Sequence, residues 1–289
     1  MNNILCIDIG GTRIKAAILR YNIDLLELRN TKVKVSKSLG WLNSSLPEII
    51  SKTHPASIFQ QNSNLDDYDA ISISVPVQVI NDGSEICGHY VEKRGLPRDL
   101  KRSFENQSNC NVTIMNDAIC WLSGALNYCK LCEMEIEYPC LFIALGTSVG
   151  IGYSKQIDIT QNLELSNHHH YFSHLSQTSE QLVNTGGKVH ACLGEKYFAS
   201  IKNDHKDWTY LNIKADFTNR IIALLLDIKD KNIVDFAELR TIFIGGGNAD
   251  YVDSNILRNK LEKHLFMLTP NNLQINPDLI PLLGQIKLL

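Results

Sequence analysis

The sequence lacks several things, and each absence narrows what the chain can be. It has no excess of charge of one sign: 28 Lys and Arg against 31 Asp and Glu leave a formal net charge of -3. That gives no electrostatic reason to expect nucleic acid as a partner. No apolar run reaches the roughly 20 residues a membrane helix needs, so no membrane partner is expected. The first apolar stretch stops at Asp8 with no basic segment before it, unlike a secretory signal. A cytoplasmic protein is therefore expected. No low-complexity tract and no repeat of fixed short period is present, which argues against a repeat array. Disulfides are not expected either. Most of the eight cysteines (Cys6, Cys87, Cys110, Cys120, Cys129, Cys132, Cys140 and Cys192) lie in apolar stretches, as reduced core thiols do. Cys129 and Cys132 form one CxxC without a second pair nearby; two packed thiols are expected there, with a metal site as the alternative.

What is present reads as a folded α/β protein. Hydrophobic residues make up 44% and charged residues 20% of 289, which suits a globular chain. That length allows one large domain or two of about 120 to 170 residues. Strands are expected over Ile4–Ile9, Ile14–Leu19 and Leu25–Val35, then at "AISISVPV", "NVTIM", "CLFIALG" and "TIFIGGG". Helices are expected over Leu39–Ile50, after Pro97 with Leu96, Leu100 and Phe104 at helical spacing, and over Ala118–Leu131, Phe217–Ile228 and Ser254–Leu265. The polar stretch from Tyr153 to Gln177 resists assignment. Strands alternating with helices place the chain in the α/β class.

One local design occurs three times: a buried strand running into glycines, in "CIDIGGT", "FIALGTSVGIG" and "TIFIGGGN". Glycines let the backbone approach a ligand closely, and the amides of such a turn form an anion-binding concavity. Thr12 and Thr147 add hydroxyls directly after glycine in two of the three. The set points to phosphate binding. Between the first two turns, Asp117 follows a strand and opens a helix. It is a candidate base for a hydroxyl that attacks phosphorus; the competing reading is a helix N-cap.

"DIGGTRIK", "MNDA", "LGTSVGIG" and "IGGG", in this order, resemble the ROK family of sugar kinases, within the actin-like ATPase superfamily. The resemblance covers nearly the whole chain. It implies an α/β protein of two domains, 1–117 and 118–289, in an actin-like ATPase (ribonuclease H-like) fold with a central cleft. It implies ATP and Mg²⁺ as cofactors and a small-molecule sugar as substrate. Asp8 would hold the metal through the phosphates. Gly10, Gly11, Thr12 and Lys15 would serve the first phosphate loop, and Gly146 and Thr147 the second. Gly245, Gly246 and Gly247 would pack beside adenosine. Asp117 would be the catalytic base, and Asn116 would bind a sugar hydroxyl. The family's repressors carry an N-terminal helical DNA-binding extension, which is not expected here. A homodimer is the default assembly.

The chain departs from the family pattern at several positions. Ser74, Val77 and Ser148 stand where glycine is usual, and Ile119 follows "NDA". "ELSNH" offers Glu164 and His168 as sugar ligands with one extra residue between them; the histidine run His168–His170 reads alternatively as a solvated loop or a weak metal site. The reading that follows is ATP-dependent phosphorylation of glucose, an N-acetylhexosamine or a similar hexose. The alternatives are a catalytically weak or inactive sugar- or nucleotide-binding protein of the same fold, and a kinase of a non-sugar substrate. Polyphosphate is an open alternative donor.

Many members of the family carry a cysteine-rich zinc loop where this chain has only Cys192 in "HACLGE". Purified protein is expected to hold no stoichiometric zinc and to survive a chelator. Elemental analysis finding one zinc per chain would overturn this and direct attention to His168, His169, His170, His174 and Cys192.

Overall fold

A computed structural model describes residues 3–10, 13–36, 68–88, 91, 96–106, 108–147, 149–156, 159–162 and 189–286. The chain forms two compact units, Met1–Glu135 with Gln274–Leu289, and Ile136–Leu273. The boundary thus differs from one after residue 117: the helix that begins there, and the end of the chain, fold with the first unit. The expected helix at Leu39–Ile50 lies outside the described residues.

The first unit is built on a five-stranded sheet, ordered β3-β2-β1-β4-β7. Its strands are β1 (Asn3–Ile9), β2 (Ile14–Arg20), β3 (Lys34–Ser36), β4 (Ala70–Val75) and β7 (Asn111–Asn116). The first three form an antiparallel meander, and β4 and β7 run parallel to β1 and to each other. Strand residues alternate between faces. Leu5, Ile7 and Ile9 therefore share one hydrophobic cluster with Ile71, Ile73, Val75, Val112 and Ile114, closed by Leu100 and Phe104 of α2 (Leu100–Glu105). A two-stranded hairpin, β5 (Gln78–Ile80) and β6 (Glu85–Cys87), follows β4. One expected strand is corrected: Leu25–Val35 is not a single strand. Asp24 caps a helix, α1 (Leu25–Asn30), by accepting from the Glu27 N–H, and only the short β3 follows. The local cap outweighs the apolar run.

On the other face lie α3 (Asp117–Leu131) and the short α8 (Ile280–Leu283). These two cross at glycines. A Cβ on Gly124 would fall on the carbonyl of Ile280, and one on Gly284 on the carbonyl of Cys120. The Asn127 amide donates to the carbonyls of Leu283 and Ile286, at 2.9 and 3.1 Å, and seals the crossing.

The second unit repeats the order and strand directions of the first: β10-β9-β8-β11-β12. Its strands are β8 (Cys140–Leu145), β9 (Val149–Gln156), β10 (Ile159–Asn162), β11 (Thr241–Gly245) and β12 (His264–Leu268). Its helices are α4 (Val189–Leu193), α5 (Glu195–Asp204), α6 (Tyr210–Asp230) and α7 (Ser254–Lys260). The expected helix over Ser254–Leu265 is corrected here. It stops at Lys260, and His264–Leu268 pairs in parallel with β11, with Leu265 and Met267 buried and Phe266 between them only partly so. Period-two burial, not the helical period, wins once a strand neighbour exists.

The glycine crossing sets a test. Alanine in a helix is ordinarily better than glycine by about 1 kcal/mol, but overpacking costs typically about 1–3 kcal/mol, and here the obstacle is backbone. Gly124→Ala is expected to lower stability by about 1–3 kcal/mol in denaturant titration. Gly247→Ala, whose Cβ would meet nothing within 4 Å, is expected to unfold as wild type does.

Candidate active site

Strand register builds the first half of the site. Asp8 pairs with Lys15 across the β1–β2 ladder and with Ser74 across β1–β4, so the three side chains lie in one row on one face. The Asp8 carboxylate is buried, at 3% exposure. The Ser74 hydroxyl donates to its Oδ1, and the Lys15 ammonium lies 3.5 Å from its Oδ2. Lys15 also lies 3.2 Å from Asp278 Oδ1 and 5.0 Å from the centroid of the Trp121 ring. The turn between β1 and β2 is closed by the Gly10 N–H, which donates to the Arg13 carbonyl at 2.9 Å.

The second contribution is the start of α3. Asn116 is its N-cap: its Oδ1 accepts from the Ala118 N–H at 2.9 Å, while its Nδ2 donates to the Val77 carbonyl at 3.0 Å. The reading of Asp117 as the cap is thereby corrected, since Asn116 does that work and Asp117 is the first helical residue. Asn116 keeps one N–H and one lone pair beyond these bonds. The surroundings of Asp117 push its carboxyl up to about 7. Burial is the largest cause and the Asp8 carboxylate the next; the Ala118 N–H and Lys15 pull it back. The residue retains partial exposure, so solvent tempers that push. Cys120, one turn on, is fully buried, and burial with the two nearby carboxylates holds its thiol neutral. A neutral buried thiol is not a nucleophile.

The other two glycine turns lie in the second unit. Gly146 and Thr147 lie in the β8–β9 turn. Gly245 ends β11, and Gly246 has φ +100°, where a Cβ would strike the Leu145 carbonyl. Asn248 ties the two turns together: its N–H donates to the Leu145 carbonyl at 3.0 Å and its amide to the Gly146 carbonyl at 2.9 Å. Gly247 lines a cavity of about 640 Å³ with Tyr210, Lys214, Asp250, Tyr251 and Thr269 among its walls. Tyr210 is held there by its hydroxyl, which donates to the Asp250 carbonyl at 2.7 Å, and by the Tyr251 ring at 5.5 Å between centroids.

The structure thus brings Asp8 and Lys15 together at the Gly10 turn, sets Asp117 within electrostatic reach of both, and separately joins Gly146 to Gly245–Gly247. Gly11, Thr12, Glu164 and His168 lie outside the described residues, as do Ser148 and the histidine run. Sequence reasoning missed Asp278, Trp121, Asn248 and the cavity's aromatic walls. Of these only Asn248, directly after the glycines, had a signal to read. Among the described residues no three or more His, Cys, Asp or Glu gather as a metal cluster. Asp8 and Asp117 offer hard carboxylate oxygens of the kind Mg²⁺ takes, and few protein ligands are needed where phosphates supply the rest.

Residues 4–161 match the family model described as the ROK family. Solved structures match along nearly the whole chain. An inorganic polyphosphate/ATP-glucomannokinase from Arthrobacter sp. strain KM shares 14% identity at a TM-score of 0.59, covering 99% of this chain and 97% of that one. A ROK family glucokinase from Streptomyces griseus, in complex with glucose and AMPPNP, shares 13% at 0.58, covering 98% of each. A ROK family protein from Streptococcus pneumoniae, in complex with sucrose, shares 17% at 0.58, covering 98% and 96%. At these identities the likeness is one of fold, the actin-like ATPase fold. None of the curated protein sequences matches the chain.

The raised Asp117 carboxyl has a consequence for stability. An unfolded Asp titrates near 3.9, and the folded one near about 7. The fold therefore favours the protonated form. That contribution is fully present below about pH 4 and is lost as pH rises through about 7. Asp117→Asn, which has no charge to bury, is expected to melt a few degrees above wild type at pH 8. The gap should shrink as pH falls toward 5. Melting curves with the same gap at every pH would contradict the raised carboxyl.

Proposed function

The chain belongs to the ROK family, and from that premise we propose that it is a sugar kinase, transferring the γ-phosphoryl group of ATP to a hexose hydroxyl with Asp117 as general base. The observation that carries this reading is Asp117 itself. It stands at the first residue of α3, beside the Asp8–Lys15 pair, with its carboxyl raised to about 7. A base poised near the working pH combines an ionised fraction able to accept the proton with enough proton affinity to drive the transfer.

Each residue then has a task. Asp117 orients the sugar hydroxyl and takes its proton at a carboxylate oxygen. The hydroxyl oxygen bonds to phosphorus as the bridge to the β-phosphate breaks, and ADP leaves. Asp8 holds Mg²⁺ through the phosphates; the metal, when bound, neutralises phosphate charge. Gly11, Thr12 and Thr147 offer amides and hydroxyls to the phosphates, and Lys15 offers its ammonium. The cavity beside Gly247 takes adenosine, its volume being in the range of small-molecule sites. Asn116, Glu164 and His168 receive the sugar. The glucose and AMPPNP bound to the Streptomyces griseus glucokinase support this pair of ligands. So does the ATP or polyphosphate named for the Arthrobacter enzyme, which keeps polyphosphate as a second donor to test. No helix among the described residues is long and apolar enough to cross a membrane. On this reading the protein works in the cytoplasm, where its eight cysteine thiols stay reduced.

An ADP-release assay across glucose, mannose and N-acetylated hexoses, with ATP and polyphosphate as donors, tests the proposal. Turnover on at least one hexose is expected. Asp117→Asn should lower that turnover by roughly 100- to 10,000-fold, about 3 to 5 kcal/mol, with nucleotide affinity close to wild type. An active Asp117→Asn enzyme would sink the base assignment. Nucleotide binding without turnover on any acceptor would leave a binding protein of the same fold.

A further inference from the structure

The Lys15 ammonium has two carboxylate partners, and the nearer one lies at the far end of the sequence. Its Nζ is 3.2 Å from Asp278 Oδ1 and 3.5 Å from Asp8 Oδ2. Asp278 sits in the single turn Pro277–Leu279, where the Asn276 side chain accepts its backbone N–H at 3.0 Å. That turn runs directly into α8, which is fixed against α3 at the Gly124–Gly284 crossing. Packing therefore sets where Asp278 stands. Lys15 is confined from the other sides as well, by the Trp121 ring and by its own strand.

Two carboxylates facing one ammonium leave a negative charge unmet. With the Ser74 hydroxyl on Oδ1 of Asp8, the contest for Lys15 falls on Oδ2. Were Lys15 paired with Asp8 alone, a cation arriving at Asp8 would have to compete with a closed, buried ion pair. We propose that Asp278 is a positioning residue of the phosphate-donor site: by drawing Lys15 toward itself it leaves Asp8 the charge with which to receive magnesium-nucleotide. This rests on the reading that Asp8 holds the metal through the phosphates.

The test is ADP binding by calorimetry, once with Mg²⁺ and once in EDTA, on wild type, Asp278→Asn, Asp278→Glu and Lys15→Met with and without Asp278→Asn. Asp278→Asn should weaken magnesium-ADP binding by about two- to fivefold, the size of one solvent-screened ion pair. Metal-free ADP binding should stay the same or tighten, because a carboxylate has been removed. Asp278→Glu should restore part of the magnesium effect. In the Lys15→Met background the Asp278→Asn effect should vanish, since it acts through Lys15. A parallel loss with and without metal would mean a merely structural role and would overturn the inference, as would an unchanged response in Asp278→Asn. Wild-type protein whose ADP affinity ignores Mg²⁺ would overturn the placement of the metal at Asp8, and this inference with it.

Discussion

A carboxylate withdrawn from water is costly unless donors or opposite charge reach it, and each Asp8 oxygen has such a neighbour. Ser74 donates to one and Lys15 faces the other. This single constraint fixes much around it. It requires β1 to lie between β2 and β4, in the register that sets Lys15 and Ser74 opposite residue 8. It requires the β1–β2 turn to be short, so that Gly10 stands at the end of the same strand. It also gives the end of the chain a reason to return, since Asp278 and Gln285 reach Lys15 and the Ile7 carbonyl from there. A serine at position 74 is thus not a neutral departure from glycine. It supplies a hydroxyl that a glycine could not.

The two units use one topology for different ends. Each sheet places an antiparallel meander beside two parallel strands, and each has its glycine turn between the first two strands of the meander. In the first unit the turn is flanked by charge: Asp8, Lys15 and Asp117. In the second it is flanked by backbone and cavity. The β8–β9 turn is joined by Asn248 to the Gly245–Gly247 turn, and the wall beyond is aromatic. The first unit thus gathers charged side chains at its turn, and the second sets a cavity beside its own.

At Asp117 opposing effects meet. The first turn of a helix favours an anion by about 0.3–1 kcal/mol, and Lys15 favours it too. Burial and the neighbouring Asp8 oppose both, and they win, since the carboxyl is lifted to about 7. A cap would not need such a balance. Asn116 takes the capping work, its Oδ1 accepting the Ala118 N–H.

The sequence alone determined the class of fold, its family resemblance and the residues at the strand ends. Those features are local: glycine after a buried strand, Asp or Asn before a helix, apolar periods of two or 3.6. Even there local reading had limits. Asp24 and the Thr209–Asn212 capping box were written in the chain, yet Leu25–Val35 read as a strand and α6 read short by seven residues at its start. Leu261 to Leu265 read as the end of the helix over Ser254–Leu265 because Leu257, Leu261 and Leu265 also satisfy a helical period. Only pairing with β11 made His264–Leu268 a strand. What tertiary structure decided was which charges meet. Asp278 is 263 residues from Lys15, and Tyr210 is 41 from Tyr251. No local pattern encodes either contact, because each depends on how strands register and helices cross. The sequence could name the carboxylates; the fold determined which of them share an ammonium.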